Sequence, residues 1–448
     1  MLRRIATVRW LALVAVLSLV AAACGGGRDE GADNEEAAAG VSEELTEQLH
    51  IDECEGDLTA GVTEDTIRIG SSFPQSGPFA AFASISDGYQ AYFDMVNADG
   101  GVAGRQIEFV ALDDAYEPGR TATNVQRLIS EEDVFALFNI IGTPNNLAIW
   151  DTAEEECIPN LFAGTGSPLW GDPEHAWTVG SFPSYSLEAV MYRDYLEEND
   201  PDARVALLTQ NDDFGAGYRD TFESAIEDTD IEVVAEETYE PSNTDVTSQI
   251  TSLAASDADA VILGTTALAC PNALNAVNGT NWEPTIFISG TCTSPLLVGL
   301  AAPGAAEGII SVTAFMDPRD PQWAEEERMQ EYLDGMAEFS GLGEEDINDS
   351  IRAYGWSMGA LLVHTLENAE ELTRPSVMES ALNLEEALVG LALPSSPFDT
   401  GVDDKYPEEV LQLMQYSDDL GYYEFLGEPS DFEDRTAEVT PESLLTAN

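Results

Sequence analysis

The chain has 448 residues and a formal charge of −67, from 17 basic and 84 acidic residues. A negative field of this strength repels phosphate backbones and anionic lipids, so it excludes nucleic acid as a partner and an anionic membrane as a surface for the folded body. The single lysine, Lys405, is not part of a GxxxxGK phosphate loop, which excludes that class of ATPase. The apolar fraction of 44% is enough for buried cores, and a chain of this length is expected to form two domains.

The acidity itself has two interpretations. Many carboxylates with one lysine are typical of adaptation to a saline medium, in which salt screens the self-repulsion of the protein. The alternative is a solubility bias in an exported protein.

Residues 1–23 are predicted to be a lipoprotein signal peptide. A basic head precedes the apolar stretch Trp10–Ala23, which is short for a permanent membrane span, and small residues lead to Cys24. We expect cleavage before Cys24 and lipidation of that residue, which would anchor the exported protein to the outer face of the cytoplasmic membrane through lipid only. The alternative is an ordinary secretory signal with a free Cys24. This alternative stays open because Ala21, three residues before Cys24, occupies a position where Leu is more usual in lipoprotein signals.

Acidic segments flank the predicted folded body. Residues 24–60 follow the signal with glycines, alanines and acids, and they are predicted to be a flexible tether. Residues 429–448 are predicted to be an acidic tail outside the core.

Four cysteines follow Cys24: Cys54, Cys157, Cys270 and Cys292. An even number in an exported chain indicates disulfides, of which three pairings are possible. Cys270 and Cys292 both follow the ends of successive predicted parallel strands, so we expect them to pair, which leaves Cys54 with Cys157. The chain has no CxxC motif and three histidines, so we expect no metal and no other cofactor.

Short apolar runs alternate with amphipathic segments from residue 64 onward. Predicted strands cover 66–71, 106–112, 134–141, 159–163, 205–209, 231–235, 258–263, 285–289, 309–312, 411–416 and 422–426. Predicted helices include 87–97, 121–130, one from about 144, 322–339 and 352–368. Alternation with short connections indicates two α/β lobes with parallel sheets, and the two late helices are expected to return to the first lobe.

Loops rich in Gly, Ser, Thr and Asn follow six of the predicted strands. They begin near Phe73, Gly142, Gly164, Gln210, Gly264 and Ser289. Ligands of open parallel sheets bind at the carboxyl ends of the strands, and such loops offer backbone N–H groups and hydroxyls to a carboxylate or another small polar group. Each loop alone is better explained as an ordinary turn that caps a helix. Six such loops on one chain favour a cleft between two lobes.

Several motifs in order resemble type I periplasmic solute-binding proteins of ABC importers, and in particular their leucine/isoleucine/valine-binding group. The motifs are Ile67–Gly70, Ser76–Pro78, Asn97–Arg105, Asp113–Asp114, Gly142–Pro144, Leu161–Gly166, Gln210–Gly215 and Asp317–Trp323. The resemblance implies two Rossmann-like lobes joined by a multi-strand hinge, with lobe 1 formed by 61–183 and 318–392 and lobe 2 by 184–317 and 393–428. It also implies a monomer that closes on a small ligand, such as a branched-chain or other apolar amino acid or a related amide or carboxylate. The monomer would deliver this ligand to ABC permease subunits.

The same resemblance implies the residues that bind the ligand. Phe82 matches the aromatic residue that covers the ligand. The loops that hold a carboxylate are matched by Thr143, Asn145, Gly164 and Thr165. The second lobe is expected to contribute Tyr185 and Phe214. Thr266 and Thr291 also belong to the expected site, but they replace an aromatic residue and the acidic residue that pairs with an α-amino group. Either Asp212, Asp213 or another acid supplies that charge, or the ligand is not an α-amino acid.

Two other functions fit parts of the sequence. Gly355–Gly359 matches the GxSxG elbow of serine hydrolases, but the segment before it is polar and the following histidine, His364, is seven residues from Ser357 along one predicted helix. We therefore expect no enzyme and interpret the small residues as sites of close helix packing. A ligand sensor of the same fold is the other alternative.

Overall fold

The computed structural model describes residues 40–172, 175–433 and 435–444. The signal peptide and Cys24 lie outside these ranges. Five strands form the first sheet: β1 (Thr66–Phe73), β2 (Gln106–Asp113), β3 (Ala136–Phe138), β4 (Asn160–Ala163) and β5 (Thr178–Gly180). Their order is β2-β1-β3-β4-β5 and all neighbours are parallel, as the alternation of elements predicts.

Helices also belong to the first lobe. They are α1 (Glu43–Gln48), α2 (Ile85–Ala98), α3 (Pro118–Ser130), α4 (Thr143–Leu147) and α5 (Trp150–Glu155). Four later helices are α11 (Glu327–Phe339), α12 (Glu344–Ile347), α13 (Ser350–Asn368) and α14 (Arg374–Ala381). Of these, α11 and α13 pack against α2, so the late helices do return to the first lobe.

Two glycines allow α2 and α13 to pack closely. A Cβ atom on Gly88 would lie 2.2 Å from the carbonyl oxygen of Arg352, and one on Gly355 would lie 2.0 Å from the carbonyl oxygen of Ile85. Both distances are well inside van der Waals contact, so any side chain would force the helices apart. The glycine of the GxSxG motif is therefore a packing residue, as the sequence predicts.

The second sheet is mixed rather than parallel. Its strands are β6 (Arg204–Gln210), β7 (Glu232–Tyr239), β8 (Ala260–Gly264), β9 (Thr285–Ile288), β10 (Ile310–Thr313), β11 (Val410–Ser417), β12 (Tyr422–Phe425) and β13 (Ser430–Asp431). Strands β6 to β10 are parallel, whereas β11 is antiparallel to β10, β12 and β13. A four-residue turn joins β11 to β12, and so short a connection can only join antiparallel strands.

Helices of the second lobe follow its parallel strands. They are α6 (Tyr185–Asn199), α7 (Asp213–Ala225), α8 (Thr247–Ala254), α9 (Ala269–Asn278) and α10 (Pro295–Val298), with the short α15 (Thr436–Val439) near the end of the described chain. Among the described residues, no helix combines the length and apolarity that a membrane span requires.

The chain crosses between the two sheets at residues 181–184, 314–317 and 407–409. The second crossing pairs with the chain at Ala392, where the Met316 N–H donates to the Leu391 carbonyl at 2.8 Å. The predicted return to lobe 2 at residue 393 is wrong, because residues 393–406 still pack on the first lobe. Phe398 is fully buried in the first core, and Lys405 donates to the carbonyl of Asp172 at 2.5 Å.

The prediction of a flexible tether is wrong for residues 42–60. From residue 42 the chain folds onto the first lobe, where Leu45, Leu49 and Leu58 are at most 3% exposed. Leu45 and Leu49 share one face of α1 because they are four residues apart. The Trp177 indole N–H also donates to the Leu49 carbonyl at 3.1 Å. The segment contains so many acidic residues that its composition did not indicate the apolar face by which it packs on the lobe.

The predicted acidic tail is also partly folded. β13 extends the second sheet beside β11, and Phe432 and Thr436 are buried. The Thr436 hydroxyl donates to the Glu409 carboxylate, and the Thr440 hydroxyl donates to Ser186 Oγ at 2.9 Å. Residues to Thr440 therefore belong to the second lobe.

Two disulfides are present, and they join the predicted pairs. Cys54 is bonded to Cys157 across 103 residues, and Cys270 to Cys292 across 22, with Cα atoms 5.8 Å apart in each pair. The first bond fixes the N-terminal arm to the end of α5.

Leu45→Ala is expected to destabilise the folded protein by about 2–5 kcal/mol, because it removes a buried side chain and leaves a cavity. Urea-induced unfolding of the chain without its signal peptide measures the change. Glu44→Ala, on the exposed face of the same helix, is the control and should stay within about 0.5 kcal/mol of the unmodified protein. Equal stabilities of the two variants would mean that the arm is not folded onto the lobe.

Candidate functional site

One cleft lies between the carboxyl ends of the two parallel sets of strands. Its lining includes residues that follow strands of the first sheet and residues that follow strands of the second: Phe82, Thr143, Gly164, Thr165, Tyr185, Phe214, Thr266 and Thr291. These are eight of the nine residues expected to contact a ligand.

Three hydroxyl groups form a connected chain on one wall of the cleft. Thr143 Oγ1 lies 2.6 Å from Thr165 Oγ1, which lies 3.2 Å from the hydroxyl of Tyr185. The two threonines follow β3 and β4 of the first sheet, whereas Tyr185 is the first residue of α6 in the second lobe. The chain of hydroxyls therefore joins the lobes, and all three side chains are buried.

Aromatic rings cover the cleft beside this chain. Phe82 lies in the single 3₁₀ segment Gly77–Ser84 that follows β1, and Phe214 lies in the first turn of α7. The ring of Phe214 packs edge-on against Tyr185, with centroids 5.2 Å apart. Tyr116 also lines the cleft, and its ring stacks on Phe79 at 3.9 Å. These rings offer an apolar surface next to a row of hydroxyls.

The expectation for the Asn145 side chain is wrong, because it does not line the cleft. It is fully buried inside the first lobe, and its amide donates to Thr121 Oγ1 on α3 at 2.7 Å. Asn145 is the third residue of α4, and the turn of that helix directs its side chain toward α3 while Thr143 faces the cleft.

The acids named as partners for an amine, Asp212 and Asp213, do not line the cleft either. Asp212 instead caps α7, where it accepts from the Gly215 N–H at 3.2 Å. The acid that reaches the expected position is Glu188, which sequence reasoning missed. A signal was present, since Glu188 is the one charged residue in the otherwise uncharged stretch from Tyr185 to Tyr192.

Glu188 is fully buried and held by three donors. The hydroxyls of Tyr218 and Tyr192 donate to its carboxyl group, as does the backbone N–H of Gly290 at 3.3 Å. Burial raises the pKa of Glu188 to about 7, and these hydrogen bonds act in the opposite direction. A Cβ atom on Gly290 would lie 3.0 Å from Glu188 Oε1, so the absence of a side chain there leaves room for this carboxyl group.

The residues that line the cleft include no Arg, Lys or His within the described chain. Two buried cations serve elsewhere: Lys405 donates to the carbonyls of Asp172 and His175, and Arg374 donates to four backbone carbonyls of the first lobe. An anionic group in the cleft would therefore meet neutral donors. The described residues also contain no cluster of three or more His, Cys, Asp or Glu side chains placed to hold a metal ion.

Ser357 does not lie on a nucleophile elbow. It is in the interior of α13, fully buried, where its hydroxyl donates to the Ala353 carbonyl at 2.8 Å and accepts from the Leu391 N–H at 2.9 Å. An elbow requires a sharp turn between a strand and a helix, with the serine exposed at its tip.

A family model described as periplasmic binding protein matches residues 66–419, which is most of the chain. The chain belongs to this family. The match includes the strands of both sheets up to β11 and every cleft residue predicted from the sequence.

Curated relatives match part of the chain. The Leu/Ile/Val-binding protein homolog 3 of Brucella melitensis is 24% identical over 201 residues, which are 44% of this chain and 54% of the relative. The leucine-, isoleucine-, valine-, threonine- and alanine-binding protein of Pseudomonas aeruginosa is 21% identical over 199 residues, or 44% and 53% of the two chains. The match thus spans about half the length of these relatives.

Solved structures share the fold over most of the chain. A branched-chain amino acid ABC transporter protein from Thermus thermophilus, with bound valine, superposes with a TM-score of 0.74 at 18% identity and covers 83% of this chain and 97% of its own. A fatty acid ABC transporter substrate-binding protein from Thermomonospora curvata gives a TM-score of 0.71 at 19% identity, with coverage of 85% and 96%. These likenesses show the type I periplasmic binding protein fold.

Glu188 should make the stability of the protein depend on pH. Its pKa of about 7 in the folded state exceeds the unfolded value of about 4.3, so the folded state binds the proton more tightly in this interval. The contribution of Glu188 to stability therefore falls as pH rises from about 4.3 toward 7, by at most about 1.4 kcal/mol per pH unit.

Glu188→Gln should remove this part of the pH dependence, which chemical unfolding at a series of pH values measures as a difference from the unmodified protein. Glu198→Gln, on the exposed side of the same helix, is the control and should leave the slope unchanged. If the stability of the Glu188→Gln variant depended on pH as strongly as that of the unmodified protein, Glu188 would not be the group responsible.

Proposed function

We propose that this chain is an exported substrate-binding protein that captures one small ligand between its lobes and delivers it to the permease of an ABC importer. The observation that carries the proposal is the chain of hydroxyls from Thr143 and Thr165 of one lobe to Tyr185 of the other, beside the rings of Phe82 and Phe214. A ligand that binds both lobes at this point would stabilise their closed arrangement. Membership of the periplasmic binding protein family supports the same role.

The ligand we propose is a branched-chain or other apolar amino acid, or a related amide or carboxylate. Neutral donors at Thr143 and Thr165 suit a carboxylate oxygen, and the aromatic rings suit an apolar side chain. Glu188 would supply the negative charge for an amine, because a bound ammonium group favours the ionised form of a nearby carboxyl group. The curated relatives described above bind amino acids of this kind according to their names.

The protein is proposed to act as a monomer without enzymatic activity. The buried and internally bonded Ser357 supports the absence of a serine hydrolase, since its hydroxyl cannot reach a substrate in the cleft.

Phe82→Ala and Thr165→Val should each weaken ligand binding by roughly tenfold or more, or about 1.4 kcal/mol. The first removes the apolar cover of the ligand and the second removes a hydroxyl from the polar wall. A thermal-shift screen of amino acids, amides, and aliphatic and aromatic acids identifies the ligand, and titration calorimetry then measures the affinities.

Ser357→Ala is the control for these variants, because Ser357 is buried in α13 and does not line the cleft. Its affinity should equal that of the unmodified protein. Unchanged affinity in both cleft variants, or hydrolysis of a ligand that Ser357→Ala abolishes, would count against the proposal.

The protein is further proposed to be held at the membrane by lipid on Cys24. Cys24→Ala should release the protein from the membrane fraction or mislocalise it, as measured by fractionation and immunoblotting of the native host. Inhibition of lipoprotein signal processing by globomycin should cause the larger precursor to accumulate. A precursor-to-mature ratio that the inhibitor does not change would rule out lipoprotein processing.

A further inference from the structure

The cleft extends beyond the hydroxyl chain to a second group of polar residues. Asp317 lies in the crossing segment 314–317, Trp323 in the 3₁₀ turn Pro321–Trp323, and Tyr423 on β12, and all three line the cleft. None of them belongs to the loops at which a ligand was expected from the sequence. One cleft is therefore lined both by the hydroxyl chain and by this second group, and a ligand that contacts both groups has to span the distance between them.

Two hydrogen-bond donors in this group have no partner within the described chain. They are the hydroxyl of Tyr423, whose side chain is 3% exposed, and the indole N–H of Trp323. Buried polar groups in native proteins nearly always have a partner, and an exception calls for an explanation. Both side chains line the same cleft, which makes a ligand in that cleft the candidate partner for the two donors.

Neighbouring rings fix the orientation of these donors. Tyr416 packs edge-on against Tyr423 with centroids 5.0 Å apart, and Phe425 lies 6.2 Å from Trp323. Tyr423 and Phe425 are two residues apart on one strand and therefore project from the same face of the sheet. The donors are thus held in place without a hydrogen bond of their own.

The charge nearby indicates which group can bind. Asp317 accepts from the Arg319 N–H at 2.9 Å. Burial raises the pKa of the Tyr423 hydroxyl, with smaller contributions from Tyr416 and then from the charge of Asp317. Asp320 lines the same part of the cleft. These acids repel a second carboxylate, whereas the two donors require an acceptor. The matching group is a neutral acceptor that can also donate to a carboxyl group, such as an amide or a hydroxyl.

We propose that Tyr423, Trp323 and Asp317 form a second polar subsite, which binds a neutral amide or hydroxyl group at the far end of an elongated ligand. The subsite rests on the proposed function, because the other end of that ligand is held by Thr143 and Thr165. A plain branched-chain side chain would leave both donors unpaired. The second subsite therefore selects against it in favour of a longer polar ligand.

The test uses two pairs of compounds that differ only in the presence of a distal polar group. These are Nε-acetyl-lysine with 2-aminooctanoic acid, and 8-hydroxyoctanoic acid with octanoic acid. Titration calorimetry on the full mature chain should show the polar member of at least one pair binding roughly tenfold or more tightly. Tyr423→Phe and Trp323→Phe should each remove most of this preference.

Tyr416→Phe is the matched control, because Tyr416 packs on Tyr423 but does not line the cleft. It should keep the preference. In the absence of ligand, Tyr423→Phe should leave the melting temperature unchanged or raise it, since the lost hydroxyl has no partner. A clear fall in that temperature would show that the hydroxyl is satisfied inside the protein and would overturn the subsite.

The outcomes separate the subsite from the function on which it rests. Equal affinity within both pairs, together with weaker binding in Thr165→Val, overturns the second subsite alone. Binding that Thr165→Val leaves unchanged contradicts the proposed function. Failure of all four compounds to bind at millimolar concentration counts against both.

Discussion

The carboxyl ends of two sets of parallel strands face one cleft, and this geometry brings loops of both lobes together. Three crossings of the chain, at 181–184, 314–317 and 407–409, hold the two sheets in this arrangement. Because the strands of each set run in one direction, the loops that follow them meet at one edge. Residues separated by more than two hundred positions, such as Phe82 and Thr291, therefore line the same space.

The chain has few basic residues, and two of them are buried and bind backbone carbonyls of the first lobe. Arg374 donates to the carbonyls of Val134, Phe135, Glu156 and Cys157 and so ties α14 to the first sheet. Lys405 fixes the segment before the third crossing, and its burial lowers its pKa to about 8. Both are bound to backbone oxygens, which leaves hydroxyls and backbone N–H groups to recognise any acceptor in the cleft. The many remaining acids lie mainly on the surface, where solvent and salt screen them.

The acidic group beside Gly290 is supplied by Glu188 of α6 and not by the loop that contains Gly290. The resemblance places an acid after the strand that ends at Ser289, but the sequence has glycine and threonine there. The absence of a side chain at Gly290 lets the carboxyl group of Glu188 approach from α6 and accept the Gly290 N–H. A buried carboxyl group of this kind is stable because two tyrosine hydroxyls share its hydrogen bonding. The wall of the cleft is thus acidic at the expected place, although the residue comes from another helix.

From the sequence alone we could predict the order and type of most elements, both cysteine pairs and eight residues of the cleft, because periodicity and strand-end loops are local signals. Sequence patterns did not reveal that Leu45 and Phe432 are buried, because a few apolar residues among many acids pack on surfaces built by distant segments. Sequence patterns also misplaced the third crossing and the side chain of Asn145, and they missed Glu188. These features follow from the folded arrangement, because the direction of a side chain and the partner that covers it depend on packing between segments far apart in the chain.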